Sequence, residues 1–265
     1  MTMIRKVQLL AVAAAAAVSG AAFSGAARAD DAPAFAYSFN LGGFSDYRFR
    51  GFSQTGGEPA IQGGADASYG IGYVGVWFSN LDFGQTGAGK DIANAEVDLY
   101  AGIKPVLGPV TFDLGVIYYA YPKARDAAAE LDYVELKAGA SMSPVDKLTI
   151  GGTFFWSPDY TGELGDVYTL EGTAAYALPK IGVFDPTISG RLGYQTGNSA
   201  GYAALFGNGS DNYMYWDAGI TLTVEKIAFD FRYIDTDVSN AGGFCKGAFF
   251  ECDSTFLASV KVTLP

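Results

Sequence analysis

The stretch Ala95-Glu-Val-Asp-Leu-Tyr-Ala-Gly-Ile-Lys104, followed after a turn from Pro105 to Pro109 by Val110-Thr-Phe-Asp-Leu-Gly-Val-Ile-Tyr-Tyr-Ala-Tyr121, decides how this chain is read. Val97, Leu99, Ala101 and Ile103 fall on one side of a period of two, and Glu96, Asp98, Tyr100 and Lys104 fall on the other. In the second segment Phe112, Leu114, Val116 and Tyr118 oppose Asp113, Gly115 and Ile117. Successive side chains of a β-strand point to opposite faces, so this alternation predicts strands with one apolar and one charged face. A tilted strand needs about 9–11 residues to cross a bilayer, which is the length of these runs.

Twelve such runs follow one another outward from this pair, at about 36–50, 59–69, 73–83, 95–104, 110–121, 132–141, 148–156, 167–178, 186–195, 213–224, 227–234 and 255–264. Their connections alternate between short ones, such as Gly70-Ile71-Gly72 and Glu225-Lys226, and long ones, such as Gly51 to Glu58 and Asp235 to Ser254. An even strand number with short turns on one side and long loops on the other predicts an all-β fold. The expected form is a transmembrane antiparallel up-and-down β-barrel of about 12 strands, with short periplasmic turns and longer extracellular loops. A soluble sandwich or lipocalin-like barrel shows the same alternation with the apolar face turned inward. Charge separates the two, because the more apolar faces carry no charged residue away from the strand ends while the opposite faces carry seventeen.

Aromatic residues gather at the long-loop ends: Tyr47, Phe49 and Phe52; Tyr118, Tyr119 and Tyr121; Phe154, Phe155, Trp156 and Tyr160; Tyr213, Tyr215 and Trp216. Rings at one level are expected to form the girdle that a membrane interface selects. The 35 glycines, many of them inside strands, are expected where a curved barrel tolerates no bulk.

Composition narrows the function. The chain has 265 residues, 49% hydrophobic and 17% charged, which is too apolar for a disordered chain and too long for a disulfide mini-protein. A net charge of -11 repels phosphate backbones, so no nucleic-acid partner is expected. With no histidine, Ser-His-Asp and Cys-His chemistry and most zinc sites are excluded. Arg5 and Lys6, the apolar run from Val7 to Val18 and the end Ala27-Arg28-Ala29 predict a cleaved secretory signal over residues 1–29, with the barrel occupying 30–265. Cleavage removes three positive charges and leaves a mature chain of -14, exported beyond the inner membrane of a Gram-negative bacterium.

The segments Leu41-Gly-Gly-Phe-Ser-Asp-Tyr-Arg-Phe-Arg-Gly-Phe-Ser53, Pro59-Ala-Ile-Gln-Gly-Gly64, Val74-Gly-Val-Trp-Phe-Ser-Asn-Leu-Asp-Phe-Gly84, Ala95 to Gly102, Tyr118-Tyr-Ala-Tyr-Pro122 and Trp156-Ser-Pro-Asp-Tyr160 resemble the TorF family of porins. The resemblance covers most of the mature chain and is densest from 41 to 160. It implies an outer-membrane barrel and leaves the transported substrate open. The end Val262-Thr-Leu-Pro265 departs from the terminal Phe or Trp of many outer-membrane barrels, although Phe256, Ala258, Val260, Val262 and Leu264 still alternate.

If the charged faces point inward, the lumen holds Asp46, Asp66, Asp82, Glu96, Asp98, Asp113, Glu135, Glu171, Asp217 and Asp230 against Arg48, Arg50, Lys104, Lys137, Arg191, Arg232 and Lys261. An acidic lumen under acidic loops concentrates cations and repels anions, so a cation preference is expected. An open pore is favoured over one closed by charge pairs such as Asp217 with Arg232. Glu96, Asp98 and Asp113 are either a cation site or solvated lumen charge, and calcium-loop spacing is missing. Paired carboxylates also suggest a glycosidase, but nothing marks one of them as buried and protonated.

Cys245 and Cys252 are expected to form a disulfide in the longest external loop, with a thiolate metal site as the weaker alternative. The functional expectation is a porin-like channel for passive diffusion of small hydrophilic solutes or cations, with no catalytic residue, no cofactor and no metal. Its partners are outer-membrane lipid and lipopolysaccharide, the solutes themselves and the barrel insertion machinery. The alternative is a non-conducting barrel whose acidic loops bind divalent cations, lipopolysaccharide or a partner.

Overall fold

The computed structural model describes residues 35–205, 210–238 and 250–265. The strands are β1 (Phe35–Phe44), β2 (Arg48–Phe49), β3 (Phe52–Ser53), β4 (Ala60–Tyr69), β5 (Gly72–Asn80), β6 (Ala95–Ile103), β7 (Val106–Leu107), β8 (Val110–Ala120), β9 (Tyr133–Val145), β10 (Leu148–Ser157), β11 (Val167–Ala177), β12 (Asp185–Gly197), β13 (Asn212–Val224), β14 (Ile227–Thr236) and β15 (Thr255–Leu264). Twelve of them are long and form one antiparallel sheet, each paired with its neighbours in sequence. The sheet closes where β1 pairs with β15, in a register running from Phe39 opposite Leu264 to Phe44 opposite Ser259. Closure leaves no unpaired edge in the wall. The short β7 extends the β6–β8 turn, and β2 and β3 form a separate hairpin.

The tight turns lie at one end of the barrel. Gly70, Lys147 and Glu225 reverse the chain there with positive φ of 59°, 66° and 53°. Two short helices, η1 (Ala124–Ala127) and α1 (Ala200–Ala204), sit in the long connections at the other end.

The faces divide as a membrane barrel requires. Leu41, Ile61, Leu99, Leu170 and Phe231 are each at least 50% exposed on the outside, whereas inward-facing Glu96, Asp98 and Glu135 are no more than 2% exposed. Water would not tolerate an apolar belt of that extent, and a soluble sandwich would reverse the two faces. Among the described residues no helix is long and apolar enough to cross a membrane, a statement that leaves strands untouched.

Two expectations are corrected. The first run, expected over 36–50, stops as a wall strand at Phe44, and residues 45–59 turn into the barrel and carry the β2–β3 hairpin. Alternation has the same period in an inward hairpin as in the wall, so the sequence pattern carried on unbroken. The girdle is also smaller than expected. Tyr47, Phe49, Phe52, Tyr119, Tyr121, Tyr213 and Tyr215 are buried inside, while Tyr118 and Phe154 face outward.

Candidate functional site

The lumen gathers the buried charged side chains of the strands, and residues 45–59 divide it. The hairpin is stiffened by its own sequence. Asp46 accepts hydrogen bonds from Ser53 Oγ at 2.7 Å and Thr55 Oγ1 at 2.9 Å, and it pairs with Arg48. The Gln54 amide donates to the Tyr47 carbonyl at 2.7 Å. Arg48 also reaches the Glu251 carbonyl at 2.7 Å, tying the hairpin to the last long loop.

The tip lies at Arg50 and Gly51, with φ of 49° and 91°. A Cβ on Gly51 would stand 2.3 Å from Thr236 Cγ2 and 3.2 Å from Tyr215 Cβ, so only glycine lets the tip press against β13 and β14. Arg50 donates two parallel hydrogen bonds to Glu135 on β9, at 2.8 and 2.9 Å, and its carbonyl accepts from Tyr213 Oη at 3.2 Å. Its guanidinium also lies 4.8 Å from the Phe49 ring centre and 4.9 Å from that of Phe155. Charged pairs in this fork geometry are strong and directional.

Aromatic rings fill the rest of the long-loop half. Tyr47 packs edge-on to Trp77 at 5.4 Å, Phe49 to Tyr119 at 5.9 Å and Phe52 to Tyr213 at 5.1 Å, while Tyr119 stacks on Tyr133 at 4.3 Å. Tyr160 from the loop after β10 joins them, and burial pushes its phenol up to about 12. Edge-to-face contacts of this kind add to the area they bury. The expectation of an open pore is therefore corrected for this half of the barrel, which is packed.

The short-turn half is more accessible to solvent. Asp113 on β8 accepts from Lys137 Nζ at 2.9 Å and Tyr73 Oη at 2.7 Å, with Lys104 at 3.9 Å, and its side chain stays 27% exposed. Asp66 on β4 accepts from Tyr100 Oη at 2.5 Å and Ser38 Oγ at 3.5 Å. Gly75 opposes Tyr100 so closely that a Cβ would meet its ring at 2.4 Å, which lets the ring lie flat on the wall. Between the halves, Asp217 bridges Arg191 at 2.8 Å and Arg232 at 2.5 Å, while Glu171 pairs with Arg191 at 3.4 Å and Asp230 with Arg232 at 3.1 Å. Each of these carboxylates thus has a partner beside it.

Glu96 and Asp98, on β6, are the exception. Tyr121 Oη donates to one Glu96 oxygen at 3.2 Å, but the other Glu96 oxygen and both Asp98 oxygens are buried and accept no hydrogen bond from the described residues. Asp113 is engaged elsewhere, and among the described residues no three acids, cysteines or histidines come together as a metal site. Asp82 stays at the mouth, where its Oδ1 accepts from the Gly84 amide at 2.9 Å. Cys252 is buried and disulfide-bonded, and Cys245, its expected partner, lies outside the described residues.

A closed twelve-stranded barrel, apolar outside and charged inside, defines the class of this protein. The chain belongs to the family described as bacterial protein of unknown function (Gcw_chp), whose model matches residues 28–264. In fold it is similar to the NanC porin, with a TM-score of 0.53 at 12% identity over 87% of this chain and 100% of that one. It is also similar to the KdgM porin, with a TM-score of 0.54 at 8% identity over 86% and 99%. No curated protein matches the sequence.

The inward hairpin is what sequence reasoning missed. One signal for it was present: Asp46, Arg48 and Arg50 place three charges in the last five residues of a supposed wall strand, a density that none of the other runs shows at its end.

Proposed function

We propose that the protein is a porin-like channel of the Gram-negative outer membrane that passes small hydrophilic solutes or cations without catalysis, and that the 45–59 hairpin is its gate. One observation carries this reading. The element filling the lumen is a loop hairpin held by side-chain contacts and a few backbone hydrogen bonds, and beneath it Asp113 and Lys104 keep 27% and 22% of their side-chain surface exposed. A barrel that served only as a scaffold for its loops would have no need of a solvent-accessible, charged interior. The net negative lumen favours cations. The barrel architecture of the NanC and KdgM porins and the resemblance to the TorF family support the same class.

The test is planar-bilayer conductance of the refolded chain, with reversal potentials in a salt gradient, before and after residues 46–58 are replaced by a short Gly-Ser linker. The reading expects rare or small steps for the intact chain and large cation-preferring steps once the hairpin is removed. Silence from both proteins, each correctly folded, rejects a channel and leaves the loop surface as the functional part.

A further inference from the structure

We propose that Glu96 and Asp98 hold a divalent cation of calcium size beneath the hairpin, and that the ion clamps the hairpin shut. Two acids on one strand do not make a site, and what marks this pair is the state of its oxygens. Asp98 is 0% exposed and Glu96 2%, yet both Asp98 oxygens and one Glu96 oxygen accept no hydrogen bond from the described residues. By contrast, Asp66, Asp113, Glu135, Glu171, Asp217 and Asp230 each accept from a lysine, an arginine or a hydroxyl. The hairpin's own cations are committed, Arg50 to Glu135 and Arg48 to Asp46. Asp113 lies in the short-turn half beside Lys137, so the site is built on two acids.

Residues two apart on a strand share a face and stand roughly 6.6 to 6.8 Å apart along it, a gap that one ion bridges through oxygens about 2.4 Å away. Asp98 has two oxygens to offer, and Glu96 adds a third beside the one that Tyr121 engages. Ser79 on β5, directly opposite Glu96 in the register, is buried as well. Its Oγ donates to the Asn80 carbonyl at 2.9 Å and keeps lone pairs for a cation. Calcium accepts oxygens in irregular, partly bidentate shells, whereas magnesium demands a near-ideal octahedron and gives up water reluctantly, so a buried chelating carboxylate favours calcium. The hairpin completes the enclosure. Asp98 stands between Trp77 and Tyr119 in the register, and these are the wall rings that Tyr47 and Phe49 of the hairpin cover. Closing the hairpin over bare carboxylates strips them of water without a counter-charge, and the ion removes that cost. The closed state thus gains more from the ion than the open one, which shifts the hairpin toward closure. The site rests on the hairpin's position rather than on current, so a barrel that never conducts leaves it standing.

Equilibrium dialysis against radioactive calcium tests it, on the refolded full chain in micelles after stripping with a chelator. The unaltered chain should bind one more calcium ion than the chain carrying Glu96→Gln and Asp98→Asn together. Hydrogen exchange over residues 45–55 gives a second reading. Calcium at about a hundred times its dissociation constant should raise protection by up to about a hundredfold in the unaltered chain and leave the doubly substituted one unchanged. Terbium bound in calcium's place should emit when Trp77 beside it is excited. Trp77→Phe should dim that emission while the chain keeps its calcium, a reading that needs neither acid replaced. Equal calcium in the unaltered and doubly substituted chains overturns the proposal. So does protection that calcium leaves level in the unaltered chain or raises equally in both, and so does terbium emission that Trp77→Phe leaves undimmed.

Discussion

Arg50 and Glu135, 85 residues apart in sequence, meet in a bidentate ion pair of 2.8 and 2.9 Å whose side chains are 3% and 1% exposed. Arg50 leaves the wall beside β1, and β9 is the sixth strand of the barrel counted from there, so the pair spans the lumen. Breaking a buried pair by removing one partner costs about 3–5 kcal/mol, because the survivor is left charged and unpaired. Glu135→Ala should therefore loosen the hairpin by that order. Exchange protection over residues 45–55 should drop at least a hundredfold while the wall strands keep theirs. Arg50→Met combined with Glu135→Leu should recover most of the loss, and equal protection in the single variant and the unaltered chain would refute the pair's role.

Gly51 gives a second prediction. Its φ of 91° and the 2.3 Å approach of a hypothetical Cβ to Thr236 Cγ2 mean that Gly51→Ala meets both backbone strain and a clash. Strain of this kind costs about 1–3 kcal/mol. Gly51→Ala should raise the frequency of channel openings in bilayers. Adding Thr236→Ser, which removes the clashing methyl, should reverse part of that rise and leave the share due to φ.

Asp217 stands between Arg191 and Arg232 at mid-lumen. Each arginine keeps a second acid, Glu171 or Asp230, so Asp217→Asn should cost only the charged hydrogen bonds, about 1.5–3 kcal/mol in urea unfolding of the refolded barrel. With the hairpin removed, the same change should move the reversal potential toward anions. An unmoved potential would show that this cluster lies off the conduction path.

The last long loop supports the hairpin from outside. The Ser53 amide donates to the Glu251 carbonyl at 2.7 Å, and Thr236 Oγ1 donates to the Cys252 carbonyl at 3.0 Å. Cys252→Ser removes the disulfide that restrains this segment and should weaken it by about 2–4 kcal/mol. Trypsin cleavage after Arg48 and Arg50 should then quicken in the intact, micelle-bound protein. A cleavage rate no faster than that of the unaltered chain would mean that the loop is held by its hydrogen bonds alone.

The wall was legible because its signal is local. Val110 to Ala120 alternates residue by residue, and its expected limits of 110–121 differ from the observed strand by one position. The expected run from 227 to 234 lies within a strand that ends two residues later, at Thr236. Lumen charges such as Asp113 and Glu171 could be assigned to the polar face for the same reason. Partnership could not. Lys137 and Asp113 pair because β8 and β9 are adjacent, whereas Asp98, on an equally alternating strand, has no ion pair among the described residues.

The sequence by itself determined the barrel: a period of two, repeated twelve times with charge confined to one face, specifies strands, their number and which face of each is apolar. Only the tertiary structure decided what the barrel contains. Tyr47, Phe49 and Phe52 alternate as wall residues do, and nothing within a few positions of them tells an inward hairpin from a longer strand facing lipid. The decision lies in contacts with Trp77, Tyr119 and Tyr213 on remote strands, which come within reach only once the sheet has closed. Alternation fixes which side chains share a face, but where that face points, and what meets it there, depends on packing between residues far apart in the chain.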